Sequence, residues 1–253
     1  MSKHNEPFIH IEDLTVGYGN DVVIQNVNFT INHNDIFVIM GLSGCGKSTI
    51  LRSIIGLKQP KSGRILIEGT DIWALSPDER AKIIKTFGIS YQSGALFSSM
   101  TLGENIALPM EMGTNMSEKE IKRKTHEKLE IVGLGEYGNL YPSEVSGGMI
   151  KRAALARAMA LNPRILFFDE PSAGLDPIRS VELDSLIKQI NQEMGTTVVM
   201  VTHELQTIMN IATNSVYICD KTVGAMGTPQ KILETTKNPE IIDFLTRGQR
   251  RRK

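Results

Sequence analysis

The stretch Gly41-Leu42-Ser43-Gly44-Cys45-Gly46-Lys47-Ser48-Thr49 constrains this chain more than any other. The continuously apolar run "DIFVIMG" leads into it, and the apolar helical pattern "TILRSIIGL" leads out. A strand buried on both faces that turns through glycines into a helix start is a phosphate cradle. Its backbone N–H groups wrap the anion, the helix dipole favours negative charge, Lys47 reaches the terminal phosphates and Ser48 is placed to ligate Mg²⁺. Such a strand belongs to a parallel sheet covered on both sides, so the loop dictates an α/β core. Two further runs, "RILFFDE" and "TTVVMVTHE", have the same continuous apolar character and a helical pattern after them.

Around this core the pattern changes. From Phe8 to Ile31 apolar and polar residues alternate about a turn at Tyr18-Gly19-Asn20-Asp21, predicting an antiparallel β-region. Ser76-Pro77-Asp78-Glu79 and Ser117-Glu118-Lys119-Glu120 read as capping boxes opening two helices, the second closed by Gly133. Residues 93–142 carry no buried-strand signature and are expected to form a helical subdomain inserted between core segments 8–92 and 143–230. A segment from 231 to 253 ends in the basic tail "RGQRRRK", with Arg247, Arg250, Arg251, Arg252 and Lys253 close together. The expected fold class is thus an α/β phosphate-loop NTPase core in one domain, with a mainly parallel sheet, an N-terminal antiparallel β-region and a helical insert.

Elsewhere charge gives no global attraction to nucleic acid or membrane, because 28 basic residues offset 28 acidic ones. No apolar run approaches the roughly 20 residues that cross a bilayer. The two cysteines, Cys45 and Cys219, stand apart without metal-ligand spacing, and Cys45 among glycines reads as a small filler.

Several residues carry candidate chemistry. "RILFFDE" ends in two carboxylates: Asp169 suits Mg²⁺, directly or through its hydration shell, and Glu170 suits polarising an attacking water. A cap for the following turn is the plainer reading of Glu170. Gln92, after the short strand "GISYQ", is placed to touch metal shell and water, and between core and insert it would report nucleotide state. His203 ends "TTVVMVTH" where a ring nitrogen could meet a phosphate oxygen or serve structure alone. Tyr18 could stack on a base.

A second glycine-bearing helix start, Ser146-Gly147-Gly148, has the chemistry of another anion site. One triphosphate already surrounded by its own loop does not need it. Two copies packed about a two-fold axis would each cap the nucleotide held by the partner's loop, with Asp176 of "AGLDP" at the same seam.

Together the phosphate loop, Gln92, "VSGGM", "ILFFDE", "AGLD" and His203 resemble, in order and spacing, the ATP-binding subunit of ABC transporters. The resemblance covers nearly the whole chain. It implies a Mg²⁺-dependent ATPase homodimer in which Tyr18 stacks adenine and Gly41, Ser43, Gly44, Cys45, Gly46, Lys47, Ser48 and Thr49 hold phosphate. Gln92 and Asp169 join Ser48 at the metal, Glu170 and His203 act on the γ-phosphate, and Ser146, Gly147 and Gly148 act in trans. Met149 departs from the glutamine usual after those glycines. With "YQSGALFSSMTLGENIALPM" it resembles the subgroup serving Mce-type lipid transport, including the Mla phospholipid pathway. That likeness implies integral membrane permease subunits, an Mce-type substrate-binding protein and a small accessory subunit at the cytoplasmic face of the inner membrane, and no nucleic acid. An importer of small polar solutes, a non-transport ATPase and a regulatory module that never hydrolyses are the rival readings. Ser93, Gly94 and Ala95 leave room for a groove in which Leu96, Phe97 and Met100 would anchor a helix of a membrane subunit, or these side chains simply fill the insert.

Overall fold

A computed structural model describes residues 8–247. The chain starts with β1 (Ile9–Tyr18) and β2 (Asp21–Ile31), an antiparallel hairpin. β3 (Ile36–Met40) follows, then α1 (Lys47–Ile54), β4 (Ser62–Ile67), β5 (Thr70–Asp71), α2 (Pro77–Ile84) and β6 (Phe87–Ser90). Next come α3 (Leu102–Gly113), α4 (Glu118–Ile131), α5 (Gly147–Ala158), β7 (Ile165–Asp169), α6 (Pro177–Met194), β8 (Thr197–Val201) and α7 (Leu205–Ile211). β9 (Asn214–Cys219), β10 (Thr222–Gly227), α8 (Pro229–Thr235) and α9 (Pro239–Thr246) complete it.

Two sheets result. One is antiparallel with order β2-β1-β4-β5; the other has order β10-β9-β3-β8-β7-β6. In the second, β6, β7, β8, β3 and β9 run parallel and only β10 is antiparallel. Sequence alone predicts its three buried central strands and the short β6; β9 and β10 extend that sheet to six strands.

The parallel strands are apolar throughout because both faces are covered. Phe37, Ile39, Ile165, Phe167, Val199 and Val201 pack with α1 and the antiparallel sheet. The alternate residues Val38, Met40, Leu166, Phe168, Val198 and Met200 pack with residues of α5, α6 and α7. This period of two makes the sheet a rigid partition with loops at its carboxyl edge.

The helix starts follow their caps. Ser76 and Glu79 exchange both bonds of a capping box. At α4 only half forms: Ser117 accepts from the Glu120 N–H, and the return bond is absent. Thr101 and Glu104 make a complete box at α3 that sequence reading passed over. Gly133 ends α4 with φ 68, its N–H donating to Glu130 and that of Leu134 to Leu129. A small cluster of Ala107, Met110, Ile121 and Ala160 joins α3, α4 and the chain after α5. The basic run Arg250 to Lys253 lies outside the described residues, and Arg247 closes α9 in a left-handed conformation.

Candidate functional site

The glycine loop leaves β3 and enters α1 through Gly46, whose φ of 102 places it where L side chains rarely go. A Cβ there would also stand 2.6 Å from Ile24, so only glycine lets the loop lie on β2. Lys47 is 6% exposed, and its Nζ donates to the carbonyls of Gly41 (3.0 Å) and Leu42 (2.9 Å), holding the ammonium over its own loop. Cys45 packs beside Gly41, and burial pushes its thiol up, as suits a filler. Ser43, Gly44, Lys47, Ser48 and Thr49 line a cleft of about 340 Å³ together with Gln92, Glu170 and His203.

β7 delivers the two carboxylates to this cleft. The Ser48 hydroxyl donates to Asp169 Oδ1 at 3.0 Å, joining residues 121 apart in sequence. Glu170 has φ 52, unusual for a residue with a side chain, and its N–H donates to the Val201 carbonyl at 2.8 Å. Both its side-chain oxygens are engaged: Thr202 Oγ1 donates to Oε2 at 3.1 Å, and His203 Nδ1 lies 2.7 Å from Oε1. A carboxylate only accepts, so Nδ1 carries a proton in that contact. The loop after β8 therefore fixes the orientation of Glu170, which is more than a turn cap needs.

Gln92 forms the wall between this cleft and a second, of about 650 Å³, lined also by Asp169, Gly147, Lys151, Ala173 and Gly174. Ser146 caps α5, accepting from Met149 N–H, and the site of a Cβ on Gly147 meets nothing within 4 Å. Within one chain Gly147 of this turn lines the second cleft, and none of Ser146, Gly147 and Gly148 lines the phosphate-loop cleft. Asp176 caps α6 by accepting from the N–H groups of Ile178 and Arg179, both at 3.1 Å. Tyr18 is not among the residues lining the cleft. It ends β1 on the flank of α1, with Lys58 Nζ 4.4 Å from its ring centre and an Arg52 N–H donating to its hydroxyl at 3.4 Å, which lowers the phenol's pKa.

Residues 24–173 match the family model described as ABC transporter. The chain belongs to the ABC transporter family. This ABC protein is 39% identical over 241 residues to the intermembrane phospholipid transport system ATP-binding protein MlaF of Haemophilus influenzae, covering 95% of this chain and 91% of the relative. It is 40% identical over 237 residues to the probable ribonucleotide transport ATP-binding protein mkl of Mycobacterium tuberculosis, covering 94% of this chain and 66% of that longer protein. Among solved structures it resembles the dimeric post-hydrolysis state of the ATP-binding cassette MJ0796 bound to ADP and Pi. There the TM-score is 0.78 and identity 31%, over 87% of this chain and 98% of the other.

The cassette's oxygen donors suit Mg²⁺, with one hydroxyl and one carboxylate side by side at Ser48 and Asp169. Among the described residues no three His, Cys, Asp or Glu side chains gather to hold a metal, so phosphate and water would supply its other ligands. Met149, where the family commonly has glutamine, is partly buried against the main core, so its side chain is used for packing.

Sequence reading missed the residues that brace the site. Thr202 announces itself only by standing next to His203. Lys151 Nζ donates to the Gln92 carbonyl, and Arg157 donates to those of Gly94 (2.9 Å) and Ala95 (2.7 Å), clamping the segment after β6 onto α5. Asn105, fully buried on α3, accepts from the Phe97 N–H at 2.7 Å and shares its amide donors among the carbonyls of Phe97, Met100 and Thr101. Replacing it by alanine strips a partner from each of these part-buried groups; the Phe97 and Thr101 carbonyls keep a backbone donor, and the Phe97 N–H and the Met100 carbonyl lose the amide. Asn105→Ala is expected to cost about 2–4 kcal/mol in urea unfolding and to speed amide exchange at residues 97–101.

Proposed function

We propose that this chain is the ATP-hydrolysing subunit of a membrane transporter and works as a symmetric homodimer enclosing two ATP. The observation that carries the reading is the single cleft in which Lys47, Ser48 and a Glu170 held by both oxygens converge. Lys47 and the loop N–H groups bind the triphosphate. Ser48 and Asp169, with help from Gln92, would hold Mg²⁺, which would supply positive charge to offset that of the triphosphate. Glu170 accepts a proton from the attacking water, and His203 keeps it aimed and stands beside the γ-phosphate. Tyr18 supports the adenine from the flank of α1. The open turn at Ser146, Gly147 and Gly148 covers the partner's nucleotide, and Asp176 lies at that seam.

Hydrolysis is passed on through Gln92. Its carbonyl is clamped by Lys151, and the chain beyond it leads to Phe97, 53% exposed. Movement at Gln92 therefore reaches an apolar surface on which a cytoplasmic helix of a permease subunit can sit. Similarity to MlaF favours phospholipid as cargo, at the inner membrane's cytoplasmic face, with an Mce-type substrate-binding protein and a small accessory subunit in the complex. The mkl likeness makes a ribonucleotide the second reading. Among the described residues no helix is long and apolar enough to cross a membrane, which fits a subunit attached through its partners.

Purified protein is expected to hydrolyse ATP with a specific activity that falls on dilution, as two copies separate. Specific activity that stays constant down to concentrations where sedimentation shows only monomer would overturn the dimer reading. Lipid and nucleotide content of the complex isolated from membranes decides the cargo.

A further inference from the structure

Asp184 is the least comfortable group in the fold. It lies on α6, 2% exposed, and neither carboxyl oxygen makes a close hydrogen bond, although the polar ends of Thr207 and Asn210 are near enough to act on it. Its helix neighbours Leu183 and Ile187, and Ile208 and Ile211 of α7, belong to one apolar cluster. Burial raises its pKa from 3.8 to about 6, while Thr207 and Asn210 of α7 oppose the shift. Among the described residues no charged or titratable side chain acts on it. With a raised pKa the folded state holds this proton more tightly than the unfolded chain does. Stability therefore falls as pH rises from about 4 to about 6, and the loss persists above.

The location explains what such a group can do. Thr207 is fully buried, and its Oγ1 lies 3.5 Å from Ser172 Oγ, two residues beyond Glu170. α7 begins two residues after His203, whose Nδ1 meets Glu170. Thr207 has one hydroxyl proton and two acceptors in reach of its helix face, Ser172 and Asp184. The segments carrying Glu170, His203 and, through the cap of α6, Asp176 thus meet around one contested proton.

We propose that Asp184 is a positioning residue for Glu170 and His203, acting through competition with Ser172 for the Thr207 hydroxyl. Neutral, Asp184 carries its own O–H, which can donate to Thr207 Oγ1, and the Thr207 hydroxyl proton is left for Ser172. Ionised, it accepts from Thr207 and the Asn210 amide, and α7 moves toward α6, taking the His203 loop with it. This inference rests on the reading of Glu170 and His203 as the hydrolytic pair.

The test is kcat for ATP between pH 5 and 8 at saturating Mg²⁺ and ATP, on the full chain. Wild type should show an inflection near pH 6. Asp184→Asn should lose it while KM for ATP stays within about twofold. Thr207→Val should lose it too, and Thr207→Ser, which keeps the hydroxyl, should retain it; these two serve if the first variant folds poorly. An absent inflection in wild type, its persistence in folded Asp184→Asn, or a rate lowered equally at every pH overturns the proposal. If Glu170→Gln hydrolyses normally, the reading of the site fails instead. If Glu170→Gln is slow and Asp184→Asn keeps its inflection, only the role of Asp184 is lost.

Discussion

Glu170→Gln is expected to slow ATP hydrolysis by roughly 10²- to 10⁴-fold while ATP binding persists. The amide matches the carboxylate in shape, so the unusual backbone at φ 52 and the packing around β7 are undisturbed. It retains one oxygen to accept from Thr202 or His203, and its new N–H₂ can donate to the Thr202 oxygen in place of the bond at 3.1 Å. What it loses is basicity: an amide cannot take a proton from water at neutral pH. Nucleotide therefore enters, two copies close, and the step that opens them is withheld. Single-turnover hydrolysis should be slow, and size-exclusion chromatography with Mg²⁺ and ATP should show accumulated dimer. Hydrolysis at the wild-type rate would remove Glu170 from its catalytic role and leave the aiming by Thr202 and His203 as a structural cap.

The parts of this site legible in the sequence are those written in contiguous residues. The apolar run of β3, the glycines and the helix start are adjacent, so the phosphate loop follows from local chemistry alone. Asp169 and Glu170 are legible likewise, because two carboxylates ending an apolar strand need a purpose. The clamp of Lys151 on Gln92 spans 59 positions and that of Arg157 on Gly94 spans 63, distances fixed only when α5 docks against β6. Asn105 is harder still. On paper it is one polar residue in a helix, and its four partners exist only once the chain from Phe97 to Thr101 folds back on α3. Capping boxes fail in both directions. Ser117 offers the right letters but forms only the bond from the Glu120 N–H, whereas Thr101-Leu102-Gly103-Glu104 closes fully. Asp184 reads as an ordinary helix-surface acid until α7 covers it.

Lys47→Ala should weaken ATP binding by about 10²-fold, since a charge-assisted contact contributes about 1.5–3 kcal/mol and the lysine reaches more than one phosphate oxygen. Its greater use is in deciding where the Ser146 turn acts. Gly147 has open space at its Cβ position, so Gly147→Arg is tolerated by the chain that carries it and obstructs whatever lies across the turn. Neither variant alone should occlude nucleotide. Mixed in equal amounts, about half the dimers pair one of each, and in these the intact Lys47 of one copy faces the intact turn of the other. One whole site then survives per mixed dimer. On a Glu170→Gln background, filter-retained ATP should recover to about a quarter of the level reached when only Glu170 is changed. If the turn served its own chain, each copy in the mixed dimer would still lack one half of its site, and no ATP would be retained. Absence of recovery, with mixed dimers shown by mass spectrometry, would thus contradict closure in trans and with it the coupling of hydrolysis to two copies coming together.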